Sequence, residues 1–207
     1  HARFAGEPWI LIFLPLAGIF IVVCYHRYGE DSDGGNDLIL RRIQNPADEK
    51  IPLRMTPFVM LGTVLTHLFG GSAGREGTAV QMGGSIADQA SRFLNLNRED
   101  RRVLLMTGVA AGFGGVFGTP LTGAVFALEV VRRGTIRTHA LVPCLVGSIV
   151  ADLMCLFLQI DHTIYSLRTF SEFEAYGPTL RISFPLLLII LLSGIAFGLS
   201  ARLFVWL

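Results

Sequence analysis

The chain has 207 residues, 52% of them hydrophobic, and a mean hydropathy of +0.56, above what a soluble domain of ordinary composition carries, which places it in a bilayer. Its 17 basic and 16 acidic residues give a net charge of +1 spread along the chain, so no basic face points to nucleic acid, and lipid, ions and other membrane chains are the expected partners. Cys24, Cys144 and Cys155 lie in apolar runs without ligand spacing; they read as small core residues, and no metal or cofactor is expected.

Apolar stretches run from Trp9 to Tyr25, Ile51 to Gly70, Arg101 to Val131, His139 to Ile160 and Ile182 to Leu207, each long enough to cross a hydrocarbon core of about 30 Å. Lipid cannot satisfy the edges of strands, so the expected class is all-helical and integral to the membrane. The chain starts at His1 rather than Met and its last apolar run reaches Leu207 without a polar tail, which reads as a piece of a longer protein. Loop charges leave the orientation open, because Arg41, Arg42, Lys50 and Arg54 fall in one loop and Arg132, Arg133 and Arg137 in another.

After the first apolar run, Tyr28 to Pro52 is polar, with Glu30, Asp31, Asp33 and Gly34-Gly35 followed by Leu38, Ile39, Leu40 and Ile43 at helical spacing. This predicts a short helix capped by Asp33 or Asn36. The second run ends in Gly70-Gly71-Ser72-Ala73-Gly74-Arg75-Glu76-Gly77-Thr78, and a helical pattern resumes through Val80, Met82, Ile86 and Ala87. A helix therefore breaks within the membrane and restarts. A second break is expected where Val103 to Ala111 reads as helix, Gly112 to Gly118 is glycine-dense, and Thr119-Pro120 supplies an N-cap and a first-turn proline for Leu121 to Val131. The same glycines also suit close packing, as in the pairs Gly108 with Gly112 and Gly114 with Gly118.

A restarted helix exposes unpaired N–H groups that hydrocarbon penalises, and helix starts carry about half a positive elementary charge. Such starts meeting near the membrane centre form an anion site without a buried lysine. Glu76 stands at one of them, where a carboxylate in a membrane costs about 2.5 to 3.5 kcal/mol. It can compete with an anion when ionised and swing away when protonated, acting as both gate and proton carrier. The plainer reading pairs it with Arg75 at a water-facing loop.

Other residues support weaker readings. Gly70 to Gly74 fits G-x-S-x-G, the nucleophile elbow of serine hydrolases, but an elbow needs a preceding strand and a histidine base, and His139 and His162 have no evident partner. Ser72→Ala would silence a hydrolase and leave a transporter running, whereas Glu76→Gln would leave a hydrolase active and take from a transporter its pH dependence and proton coupling but not its anion movement. His67, one turn before the break, reads as a half-buried, hydrogen-bonded side chain or a proton relay. Glu129 precedes Val130, Val131, Arg132 and Arg133, so it pairs with arginine at a membrane boundary or conducts protons.

The run Gly74-Arg75-Glu76-Gly77-Thr78-Ala79-Val80-Gln81-Met82-Gly83-Gly84 resembles the GREGPxVQxG signature of the CLC family of chloride channels and halide/proton antiporters. Thr107-Gly108-Val109-Ala110-Ala111-Gly112-Phe113 and Thr119-Pro120-Leu121-Thr122-Gly123-Ala124-Val125-Phe126-Ala127-Leu128-Glu129 resemble that family's TGxAAGxxxxFxxPLxGxxFxxE block. The resemblance implies an inverted-repeat fold of broken, tilted helices, with residues 1–160 as most of the first repeat and 180–207 as the first helix of the second. It also implies a multi-pass protein of the cell membrane, a homodimer with one anion pathway per subunit, and a gating glutamate at Glu76. The anion site would draw on Gly35 and Asn36 and on Gly74, Arg75, Gly77 and Thr78, with Arg75 better suited to a headgroup or carboxylate than to the ion.

The sequence departs from the family pattern at three places. Asp33-Gly34-Gly35-Asn36-Asp37 stands where the GSGIP signature carries a serine, Thr78 replaces the proline after GREG, and Val130 occupies the place of an internal proton-transfer glutamate. The fluoride-exporting branch is similar on all three points, so fluoride/proton antiport is the favoured expectation, with chloride/proton antiport and a passive voltage-gated chloride channel as alternatives.

Overall fold

Helices account for all the regular structure among the described residues of the computed structural model, which are 8–45, 50–130, 138–162 and 184–206. The chain divides into two units, His1–Thr163 and Ile164–Leu207.

In the first unit a 3-10 turn at Pro8–Phe13 leads into α1, Leu14–Tyr28, and a second one at Glu30–Gly34 leads into α2, Gly35–Gln44. There follow α3, Met55–Leu68; α4, Arg75–Phe93; α5, Arg98–Phe117; α6, Pro120–Val130; and α7, Leu141–Phe157, entered through a 3-10 turn at Thr138–Ala140. Helix α5 is the hub, packed against α4, α6 and α7, while α2 and α3 lie against α4. The buried core joins Ile39 and Ile43 of α2 and Met55 of α3 to Leu105, Met106 and Val109 of α5 and Cys144 of α7. Described side chains of α1 are largely exposed, with Ala17 alone buried among them, as suits a helix whose outer surface meets lipid.

The second unit is described through α8, Phe184–Trp206, whose hydrophobic side chains from Leu187 to Trp206 are exposed where described. Trp9–Tyr28 and Leu187–Phe204 are the described segments long and apolar enough to cross a membrane by themselves.

Three expectations are corrected here. At about 1.5 Å per residue, the 14 residues of α3 reach only about 21 Å, so the stretch from Ile51 to Gly70 does not cross the bilayer as one helix, and the stretch from Arg101 to Val131 is divided between α5, 20 residues and about 30 Å long, and α6, 11 residues and about 16 Å long. The glycine-dense segment does not interrupt α5, which continues through Phe117 and ends at Gly118 in the left-handed conformation with φ +65°. The reason is packing. A Cβ at Gly83 would fall on the carbonyl oxygen of Gly108, and one at Gly112 would fall on that of Ala79, so α4 and α5 touch backbone to backbone along this seam. Beyond Gly118, the Gly123 N–H donates to the Thr119 carbonyl at 2.9 Å, which makes Thr119 the N-cap position and Pro120 the first residue of α6. Finally, neither Asp33 nor Asn36 caps α2: its N-cap is Gly34, Asp33 lies within the preceding 3-10 turn, and the Asn36 side chain turns toward α4.

One buried cluster fastens the frame. The fully buried Asp88 of α4 accepts through Oδ2 from the Ile51 N–H at 2.9 Å and from Arg92 Nη2 at 2.6 Å, and through Oδ1 from Arg101 Nε at 2.7 Å, with Arg101 Nη2 also at 2.7 Å. Arg92 Nη2 donates to the Ile51 carbonyl and Ser85 Oγ to that of Pro52, so the approach to α3 is tied down along α4. A buried carboxylate is tolerable only when paired and hydrogen-bonded, and both oxygens of Asp88 are.

Candidate anion site

The starts of α2 and α4 lie against each other. Helix α4 begins after Gly74, which is extended at φ −69° and ψ 140° and has no side chain with which to cap. Helix α5 begins after a similarly extended residue, Asn97, but there the side chain accepts from the Asp100 N–H at 2.9 Å. The start of α4 thus has no N-cap side chain, and Glu76 is the one acidic residue in its first turn.

Facing this turn, α2 opens with Gly35 at φ +55°, a conformation that favours glycine, followed by Asn36. Asn36 Oδ1 accepts from Gln81 Nε2 at 3.0 Å. Its other amide atom lies over the α4 turn: a Cβ on Gly77 would stand 3.1 Å from Asn36 Nδ2, and one on Gly35 would stand 3.5 Å from Gln81 Nε2. Gly77 and Gln81 are four residues apart on α4 and share a face. The lack of a side chain at Gly77 is therefore what lets the Asn36 amide lie so close to the α4 turn.

Of the residues expected from sequence, the structure brings Gly35, Asn36 and Gly77 together; Gly74 and the exposed Arg75 and Glu76 form the adjoining edge of the same helix start. Thr78 points elsewhere. Its Oγ1 lies 3.0 Å from Thr63 Oγ1 and donates to the Gly74 carbonyl at 3.2 Å, so the hydroxyl joins α4 to α3. Gln81 went unassigned as a site residue by sequence reasoning; its place four residues after Gly77 was the available signal.

The remaining candidates separate. His67 is exposed rather than half-buried, because it falls on the outer side of the last turn of α3. Ser72 is also exposed, it follows a helix rather than a strand, and no described hydrogen bond links it to a histidine, so the elbow geometry is not formed. His139 is exposed, and His162 Nε2 lies 3.4 Å from Asp152 Oδ1, with its ring packed over Gly118. Glu129 is exposed near the end of α6, and the arginines expected to pair with it, Arg132 and Arg133, lie outside the described residues, as does Arg137. Cys144 is buried in the core, and Cys155 Sγ donates to the Gly115 carbonyl at 3.3 Å.

Comparison with known proteins agrees with this architecture. Residues 17–207 match the family described as Voltage gated chloride channel. A "Chloride/fluoride channel protein" of Pseudomonas syringae pv. tomato is 46% identical over 96% of this chain and 42% of its own length. An "H(+)/Cl(-) exchange transporter ClcA" of Cronobacter sakazakii is 32% identical over 63% of this chain and 29% of its own length. The crystal structure of a CLC-type fluoride/proton antiporter superposes with a TM-score of 0.80 at 36% identity, covering 95% of this chain and 47% of that one.

Fold and matches together define a helical membrane protein. The chain belongs to the CLC, or voltage gated chloride channel, family of integral membrane proteins, and it spans less than half the length of these relatives.

Proposed function

We propose that this chain is the first part of a transporter that moves fluoride, or chloride, in exchange for protons, with Glu76 as the gate. The observation that carries the reading is the meeting of the α2 and α4 starts at Gly35, Asn36 and Gly77, with a glycine and no capping side chain at the N-cap of α4. An anion held there gains from the positive end of the helix dipole and from amide donors without needing a full positive charge. Gly74 and Gly77 keep the backbone accessible, and Thr78 holds the turn in place through Thr63.

Glu76, in the first turn, competes with the anion when ionised and gives way when protonated. Residues 1–160 form most of one repeat and 180–207 the opening helix of a second. The protein crosses the cell membrane several times and works as a homodimer, with lipid around it and one pathway per subunit. The 46% identical relative and the antiporter structure favour fluoride, the exchangers near 32% identity favour chloride, and the word channel in one relative's name favours a passive pathway.

Anion efflux from proteoliposomes containing the full-length protein, followed with fluoride and chloride electrodes and an external pH probe, tests the reading. Fluoride efflux with opposite proton movement is expected. Glu76→Gln should keep anion efflux and abolish proton movement and pH dependence; proton coupling that survives in this variant would remove Glu76 from the gate. Chloride efflux alone would assign the site to chloride, and anion efflux without protons to a channel.

A further inference from the structure

Gln81 carries no role in the expectations drawn from sequence, yet its side chain engages the oxygen end of the Asn36 amide beside the helix start. Asn36 has one acceptor atom, Oδ1, and one donor atom, Nδ2, carrying two N–H groups. Gln81 Nε2 donates to Oδ1 at 3.0 Å, drawing it toward Gln81, and Nδ2 is the nearer amide atom to Gly77 in the first turn of α4: a Cβ there would stand 3.1 Å from Nδ2 and 3.6 Å from Oδ1. Without Gln81 the amide could rotate by half a turn at little cost and present its oxygen, which repels an anion. With it, the space by Gly77 is faced by donors from the side chain of Asn36 and from the backbone of α4.

We infer that Gln81 is a positioning and selectivity residue of the anion site, its amide holding Asn36 with the donor end toward the ion so that the small, strongly hydrated fluoride is preferred to chloride. This inference rests on the reading of the Asn36–Gly77 region as the anion site. Fluoride gives up more hydration than chloride on entering a site, so it depends more on donors held close and in fixed orientation. Gly35 contributes through its backbone, whose φ of +55° favours glycine and sets the entry into α2 just before Asn36.

The test is a double-mutant cycle in the full-length protein in liposomes, with fluoride and chloride efflux measured side by side for wild type, Gln81→Leu, Asn36→Ala and the combination. Gln81→Leu is expected to lower the fluoride-to-chloride ratio about tenfold, the scale of one hydrogen bond to a charged partner, and to leave proton coupling through Glu76 intact. Asn36→Ala should lower the ratio by at least as much, and adding Gln81→Leu to it should change nothing further, because the residue being positioned is gone.

Losses that multiply in the double variant, or an unchanged ratio in Gln81→Leu beside a lowered one in Asn36→Ala, would overturn the positioning role and leave the anion site standing. An unchanged ratio and rate in Asn36→Ala would overturn both. Should Gln81→Leu fail to fold, Gln81→Glu decides: its carboxylate only accepts, so Asn36 turns its oxygen to the ion and fluoride selectivity falls below that of wild type. Fluoride selectivity retained in Gln81→Glu would refute the inference.

Discussion

At the Phe93 end of α4, Asp88 is buried with both oxygens satisfied by Arg92, Arg101 and the Ile51 N–H, and the neighbouring end of α2 is closed in a related way, with Arg102 donating to the carbonyls of Ile43 at 2.7 Å and Gln44 at 2.9 Å. At the Arg75 end, the same two helices start from glycines, no side chain caps either start, and the charged residues are exposed. Two parallel choices are thus made on one pair of helices. At the closed end the buried carboxylate of Asp88 finds all its partners within the protein; at the proposed anion site, donors are left for a ligand to satisfy. The closed ends supply the rigidity that keeps the open ends in register.

Substitutions at the closed end should therefore unfold the protein, and those at the open end should change only its transport. The largest effect is expected from Asp88→Ala, which strands Arg92 and Arg101 and should cost about 3 to 5 kcal/mol, visible as a lowered thermal midpoint of the detergent-solubilised protein. A midpoint near wild type would mean that the cluster contributes little to the frame. Next comes Gly108→Ala on the α4–α5 seam, whose Cβ would meet the Gly83 carbonyl and the Ala87 side chain; forcing those backbones apart should cost about 1 to 3 kcal/mol by the same measurement.

Thr63→Val, which removes the hydroxyl partner of Thr78 at the junction of the two ends, should cost about 0.5 to 1.5 kcal/mol. Smallest of all is the stability change in Glu76→Gln, expected within about 0.5 kcal/mol although proton coupling is lost, because the exposed side chain holds no part of the frame. A large loss of stability in Glu76→Gln would erase the distinction between the ends.

Much of the open end could be read from the sequence. The restart after Gly74 and the acidic residue at the head of α4 follow from local rules about which residues break, start and expose a helix, while the glycines at 35 and 77 entered through the family resemblance. The end of α5 was misread by the same rules. Gly112 and Gly114 look like breakers in sequence, but α5 needs them because it runs against the backbone of α4 at Ala79 and against Ser148 of α7. Helix reach was misjudged as well, since hydropathy shows that a segment is apolar and says nothing of where the helix stops within it.

The sequence by itself determined the solvent, the helical class and the places where helices restart, because each depends on residues within one or two turns of one another. Only the tertiary structure decided that Asp88 is a buried anchor, that Thr78 faces α3 and that Gln81 reaches Asn36. Those facts join residues 13 to 45 positions apart, and a side chain that ends up facing another helix has no local pattern to announce its partner.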